Sequence, residues 1–248
     1  MAKCLSLPFL NKLRERYDLV LASGSPRRQD LLSKLGIPFK VVVSTYEEKH
    51  DQRHLVKPVN YVVENAKQKA LHTFAQLNSK TNTKPIVVIG ADTVVVAEGE
   101  IFEKPRDEKA ALEMLKTLRD KPNTVMTGLC VIIQTTSQQP LIPPKDFQEG
   151  MPKHLKPGVP GVWVEKLPGE SGYLVCGLEE TTVHFDPDVS NEVLAAYVDT
   201  EEPMDKAGSY GYQDLAAFFV SHIEGDFYNV VGFPCHLFFM MLFKLLKE

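Results

Sequence analysis

Short apolar runs alternate with amphipathic stretches along most of the chain. Asp18 to Ala22 (DLVLA) predicts a strand. SGSP interrupts it, and in RRQDLLSKLG the residues Leu31, Leu32 and Leu35 recur at helical spacing, with Gly36 placed as a C-cap. PFKVVVS predicts a second strand. Tyr61 to Leu77 predicts a longer helix, with Val63, Ala66, Ala70, Phe74 and Leu77 on one stripe. The β-branched runs Ile86–Ile89 and Thr93–Ala97 flank Gly90-Ala91-Asp92. Pro105 to Leu118 predicts a helix opened by its proline, and Val125 to Gln134 a strand. Further on, the pattern predicts a strand over Tyr173–Phe185, a helix over Asn191–Val198, a loop over Glu201–Gln213 and a strand over Ala216–Ile223. A buried helix follows Pro234.

Between Ser137 and Gly172 the texture changes, with Pro140, Pro143, Pro144, Pro152, Pro157, Pro160 and Pro168 in close succession. Loops this long are uncommon inside a compact domain, so residues 137–172 are expected to be a surface insertion or a mobile flap, with Trp163 pinning part of it. The loose alternation of strands and helices, without repeats, predicts an α/β fold with a mixed sheet. At 248 residues the chain can bury a full core without staples.

The net charge of -4 supplies no global basic field, so no nucleic-acid partner is expected and any anion site must be local. Cys4, Cys130, Cys176 and Cys235 show no zinc spacing and read as reduced thiols. The apolar run at the N-terminus is too short for a signal-peptide core. Val230 to Leu246 carries Gly232, Pro234, His236 and Lys244 and falls short of a membrane span. A cytoplasmic location is expected, with the nucleus as the other compartment and no membrane partner.

Four segments could carry chemistry. In SGSPRR, Ser25 is placed as N-cap and Pro26 as the first helical residue. Arg27 and Arg28 then fall in the first turn, where cations oppose the helix dipole, so their removal should leave the helix no less stable. With Ser23, Ser25 and free backbone N–H groups they make an anion site; the other reading is a capped helix whose arginines are solvated. Asp92 interrupts an otherwise apolar run, where an ionised carboxylate is costly unless paired or metal-bound, and Gly90 before it suggests a bulge. Alternatively, Asp92 caps a turn. Lys69, Lys104, Lys206 and Glu47-Glu48 each read alone as solvated. In DKAGSYGYQ, Gly208 and Gly211 allow close approach and the Gln213 amide could read a base edge. P-loop, Rossmann, zincin and nucleophile-elbow signatures are all missing.

Taken together, the blocks resemble the Maf family of nucleoside triphosphate pyrophosphatases. They are LASGSPRR at 21–28, EE at 47–48, QKA at 68–70, GADTVVV at 90–96, EKPRD at 103–107, VMTG at 125–128, TTVHF at 181–185, EPMDKAGSYGYQ at 202–213 and NVVGFP at 229–234. The resemblance covers most of the chain outside the proline-rich segment and implies a single domain over residues 1–248, an elongated mixed sheet with two lobes around a cleft. It implies hydrolysis of dTTP, UTP and modified pyrimidine nucleotides to monophosphate and pyrophosphate. By motif, Ser23, Arg27 and Arg28 belong to its phosphate-binding signature. Glu48, Lys69 and Lys104 match charged active-site positions, and Asp92 matches its proton acceptor. Arg28, Thr93 and Gln213 match positions tied to base selection. Ser209 and Asp214 depart from the alanine and glycine common there. Asp92 can hold a metal or deprotonate the water, and Glu48 is the second metal candidate. Mg²⁺ suits these oxygen donors, with Mn²⁺ as the alternative. A homodimer is also implied. The competing readings are a nucleotide-binding regulator without turnover and a phosphatase releasing orthophosphate.

Overall fold

A computed structural model describes residues 8–34, 36–48, 56–78, 84–135, 147–152, 161–167 and 172–246. Leu35 and most of the proline-rich segment lie outside these residues.

Nine strands form one mixed sheet among the described residues. β1 (Asp18–Leu21) pairs in parallel with β2 (Lys40–Val41) on one side and β3 (Ile86–Ala97) on the other. β3, β5 (Asn123–Gln134) and β8 (Gly172–Phe185) are long antiparallel neighbours that run through the whole molecule. β4 (Glu100–Phe102) hairpins onto the end of β3, β7 (Gly161–Lys166) and β6 (Gln148–Glu149) extend the sheet beyond β8, and β9 (Val220–Glu224) pairs with the far end of β8.

Strand alternation sends successive β3 residues to opposite faces. Val88, Val94 and Val96 pack under α3 (Pro58–Asn78), whereas Val87, Ile89 and Ala91 pack under α1 (Pro8–Arg16), α2 (Pro26–Lys34) and α7 (Cys235–Leu246). A third core gathers Val95, Val125 and Val183 with α4 (Glu108–Arg119) and α5 (Asn191–Val198). α4 starts later than its sequence suggests. Asp107, not Pro105, opens it, accepting a 2.7 Å bond from the Ala110 amide.

Three expectations are corrected. Gly90 makes no bulge, because β3 pairs with β5 in unbroken register from Val87 to Val96. Instead, α3 lies against the strand there. A Cβ on Gly90 would stand 2.3 Å from the Ala66 carbonyl, and one on Gly128 would stand 2.6 Å from that of Val62. The segment 137–172 is not loop throughout either. β7 lies within it as a partner of β8, and Trp163 is 1% exposed in the core under α3. The run Ala216–Ile223 also splits, with a 3₁₀ turn (Leu215–Phe218) preceding β9. A short helix, α6 (Phe227–Val231), precedes α7. No helix among the described residues is long and apolar enough to cross a membrane.

Candidate active site

The chain leaves β1 toward β2 on one side and returns through α3 to β3 on the other, so the carboxyl end of β1 is a topological switch point. β1 pairs with β3 only as far as Ile89, and β4 takes over only at Val95. Along the edge of β3 left open between them, Asp92, Thr93 and Val94 line a cleft of about 560 Å³. Groups reach this edge from both faces of the sheet.

On the α3 face, the unbulged register points Asp92 toward Lys69 and Asn65, one helical turn apart. Lys69 Nζ lies 2.7 Å from Asp92 Oδ1 and 2.7 Å from Glu48 Oε1. The Asn65 amide donates to the other oxygen of each, at 3.2 Å to Asp92 and 3.3 Å to Glu48. One ammonium and one amide therefore clamp two converging carboxylates. Burial works against the Lys69 charge, but Asp92 and then Glu48 more than offset it and hold its pKa above the usual lysine value. The Tyr61 hydroxyl donates to Glu103 at 2.7 Å from the same helix. Burial first, and Glu103 next, push its pKa up.

On the opposite face, Arg28 replaces a missing strand neighbour. It donates to the Ala91 carbonyl (3.0 Å), the Gly232 carbonyl (2.9 Å), Ser23 Oγ (3.1 Å) and Thr93 Oγ1 (2.9 Å). Burial lowers its pKa and Asp92 opposes that, yet a guanidinium remains charged. These four bonds give Arg28 a tertiary role that its place in the first helical turn does not convey. Arg27 reaches across the cleft to Asp205, at 2.7 Å to the carboxylate and 3.0 Å to the carbonyl. Lys104 is exposed at the rim.

The 202–213 segment closes the other wall. Lys206 is 7% exposed, bonded to the Glu202 carbonyl at 2.7 Å and to Asp205 at 3.1 Å. Gly211 leaves room for its stem, since a Cβ there would stand 2.4 Å from Lys206 Cε. Gln213 donates to Asp214 at 2.5 Å, and its carbonyl oxygen is buried without a partner.

The fold thus brings Ser23, Arg27, Arg28, Glu48, Lys69, Asp92, Thr93, Lys104 and Gln213 to one place; Ser23 lies behind Arg28 rather than on the cleft wall. Sequence reading missed Asn65, Tyr61 and Glu103. Asn65 lies one turn before Lys69 on the same helix face, and that spacing was the available signal for the first. Five cationic and four acidic side chains line the cleft, and the acids hold Lys69, Arg27 and Lys206 in place before any anion arrives. Chemically, the wall can accept phosphate oxygens and hold a water against a carboxylate.

A charged cleft at the switch point of a mixed sheet defines the class: an α/β protein with a polyanion-sized polar site. The chain matches the family model described as Maf-like protein over residues 18–144 and 159–245, and it belongs to that family. It is 40% identical over 238 residues to the Homo sapiens protein named "Probable bifunctional dTTP/UTP pyrophosphatase/methyltransferase protein", covering 96% of this chain and 33% of that one. The chain therefore spans about a third of that relative. It is 34% identical over 234 residues to the "dTTP/UTP pyrophosphatase" of Schizosaccharomyces pombe, covering 93% of this chain and 84% of the other. The "dTTP/UTP pyrophosphatase" of Thermoanaerobacter sp. is 36% identical over 230 residues, covering 93% and 95%.

Proposed function

We propose that this chain hydrolyses dTTP and UTP, with modified pyrimidine nucleotides, to the monophosphate and pyrophosphate. The observation that carries the reading is the clamp of Asp92 and Glu48 by Lys69 and Asn65, facing the arginines across an open strand edge. The names of the relatives supply the substrate and the bond cleaved.

The triphosphate binds where Arg27, Lys104 and Lys206 line the wall, its negative charge taking over from Asp205 as the partner of Arg27 and Lys206. A water held at Asp92 attacks the α-phosphorus. Its oxygen bonds to phosphorus as the bridging α–β bond breaks, and pyrophosphate leaves opposite. Asp92 takes the proton, and Lys69 sets the carboxylate's direction. The cations gain most where charge develops, in the transition state.

Asp92 and Glu48 also fit a hard divalent cation. Their oxygens converge within reach of one group, and the rest of the cleft is open to water and phosphate oxygens, the arrangement Mg²⁺ takes. Mg²⁺, or Mn²⁺ in its place, would supply charge neutralisation along the phosphates. The partnerless Gln213 oxygen accepts from the N3–H of a thymine or uracil, which supports pyrimidine choice. The same reading carries a homodimer in the cytoplasm, or in the nucleus, which sedimentation and cell fractionation would check.

The test is a panel of nucleoside triphosphates with Mg²⁺, scored by kcat/KM. The expected order places dTTP and UTP above purine nucleotides, with Gln213→Leu flattening the preference. Equal rates on all bases would overturn the base reading.

A further inference from the structure

Away from the cleft, the β8–β9 ladder carries a cluster that the proposed reaction does not use. His184 and His222 are register partners across the two strands. Their rings stack with centroids 4.0 Å apart and planes 9° from parallel. Glu224 stands two residues after His222, on the same face of β9. Its carboxylate lies 2.8 Å from His184 Nε2. The Ser221 hydroxyl bonds the His184 carbonyl at 3.0 Å and lies 3.2 Å from His222 Nδ1, which ties the strands together and orients the second ring. One ligand atom from each of His184, His222 and Glu224 falls within 4.8 Å of the others. The Glu224 side chain is 67% exposed and that of His184 is 21% exposed, so an ion can enter from solvent.

We propose that His184, His222 and Glu224 form a binding site for one divalent transition-metal ion of the zinc class. Two imidazoles and a carboxylate, with a water in the remaining position, are a donor set that zinc takes. The softer nitrogens select against Mg²⁺, which prefers oxygen. On binding, the ion takes the place of the direct contact between His184 Nε2 and the Glu224 carboxylate. The row of Asp92 crosses β8 at Leu178, six residues before His184, so roughly 20 Å of strand separates this site from the row of Asp92. Its effect is to clamp β9 to β8.

The experiment titrates the metal-stripped chain with Zn²⁺ by calorimetry, in millimolar Mg²⁺, for wild type, His222→Ala and Glu224→Gln. Both changes fall at exposed positions. Circular dichroism, and pyrophosphate release with Mg²⁺ alone, confirm that each variant is folded and otherwise unaltered. Wild type should take up one Zn²⁺ that each variant loses or binds at least about tenfold more weakly. It should also melt at a higher temperature with Zn²⁺, and the variants should not. Equal Zn²⁺ uptake by wild type and variants, or displacement of the ion by Mg²⁺, would overturn the site and leave a cross-strand contact only.

Discussion

Asp92→Asn keeps the shape of the side chain and removes its charge. Asp92 accepts from Lys69 at 2.7 Å on one oxygen and from Asn65 at 3.2 Å on the other. An amide has one acceptor oxygen, so its NH₂ must face the Lys69 ammonium or the Asn65 amide, donor against donor. Lys69 still has Glu48 at 2.7 Å, and the mismatch costs about 1–3 kcal/mol. That is tolerable against a typical stability of about 5–15 kcal/mol, so the variant folds. Turnover responds differently. Loss of a proton acceptor lowers kcat by about 10²- to 10⁴-fold, or about 3–5 kcal/mol of barrier. Without the Asp92 charge, burial counts for more at Lys69 and its pKa falls. The assay is the initial rate of pyrophosphate release from dTTP and UTP with Mg²⁺, run beside a thermal melt. A rate within a few-fold of wild type in a normally folded variant would remove Asp92 from the reaction. A rate lost only in proportion to folded protein would make its role structural.

Arg28→Ala should both lower kcat/KM and destabilise the chain by about 2–3 kcal/mol in urea melts, because the Ala91 and Gly232 carbonyls lose their donor. Gly90→Ala should push α3 off β3 and show as a lower Tm together with slowed turnover, since the clamp on Asp92 depends on that approach. Burial, reinforced by Asp226, raises the Glu179 carboxyl to about 7. The folded state therefore holds a proton that the unfolded chain gives up, and stability falls as pH rises from the ordinary carboxylate range to about 7. Glu179→Gln should flatten that fall and raise Tm at alkaline pH, as scanning calorimetry across pH would record. Replacing residues 153–158, which the family model passes over, by a Gly/Ser linker should leave turnover within about tenfold, whereas Trp163→Ala should cost about 3–5 kcal/mol in a denaturant melt.

Long periodic elements were legible from the chain alone. The stripe of Val63, Ala66, Ala70 and Phe74 marks α3, and Asn191–Val198 is α5 to the residue. Short or contextual elements were not. β7 hides among prolines, and only its place beside β8 shows why Trp163 is buried. α1, whose Leu10 and Leu13 enter the core, is too short and too charged for periodicity to mark it. Ala216–Ile223 reads as one apolar strand, yet Phe218 is 86% exposed on a turn before β9. At the cleft, Asp92 stood out as a lone carboxylate in an apolar run, whereas Lys69 and Glu48 came only from the family resemblance. Asn65 stayed hidden because its role depends on Gly90 and Gly128 drawing α3 onto the sheet, a tertiary contact between distant segments. Arg28 was read through the helix dipole, a local effect, whereas its partners lie up to 204 residues away.

In the proposed reaction, water attacks the α-phosphorus of a pyrimidine nucleoside triphosphate held in this cleft. Turnover of dTTP in water labelled with heavy oxygen, followed by mass analysis of the products, tests it directly. The label should appear in the thymidine monophosphate, with unlabelled pyrophosphate as the other product. Label in the pyrophosphate, or release of orthophosphate with nucleoside diphosphate, would contradict it.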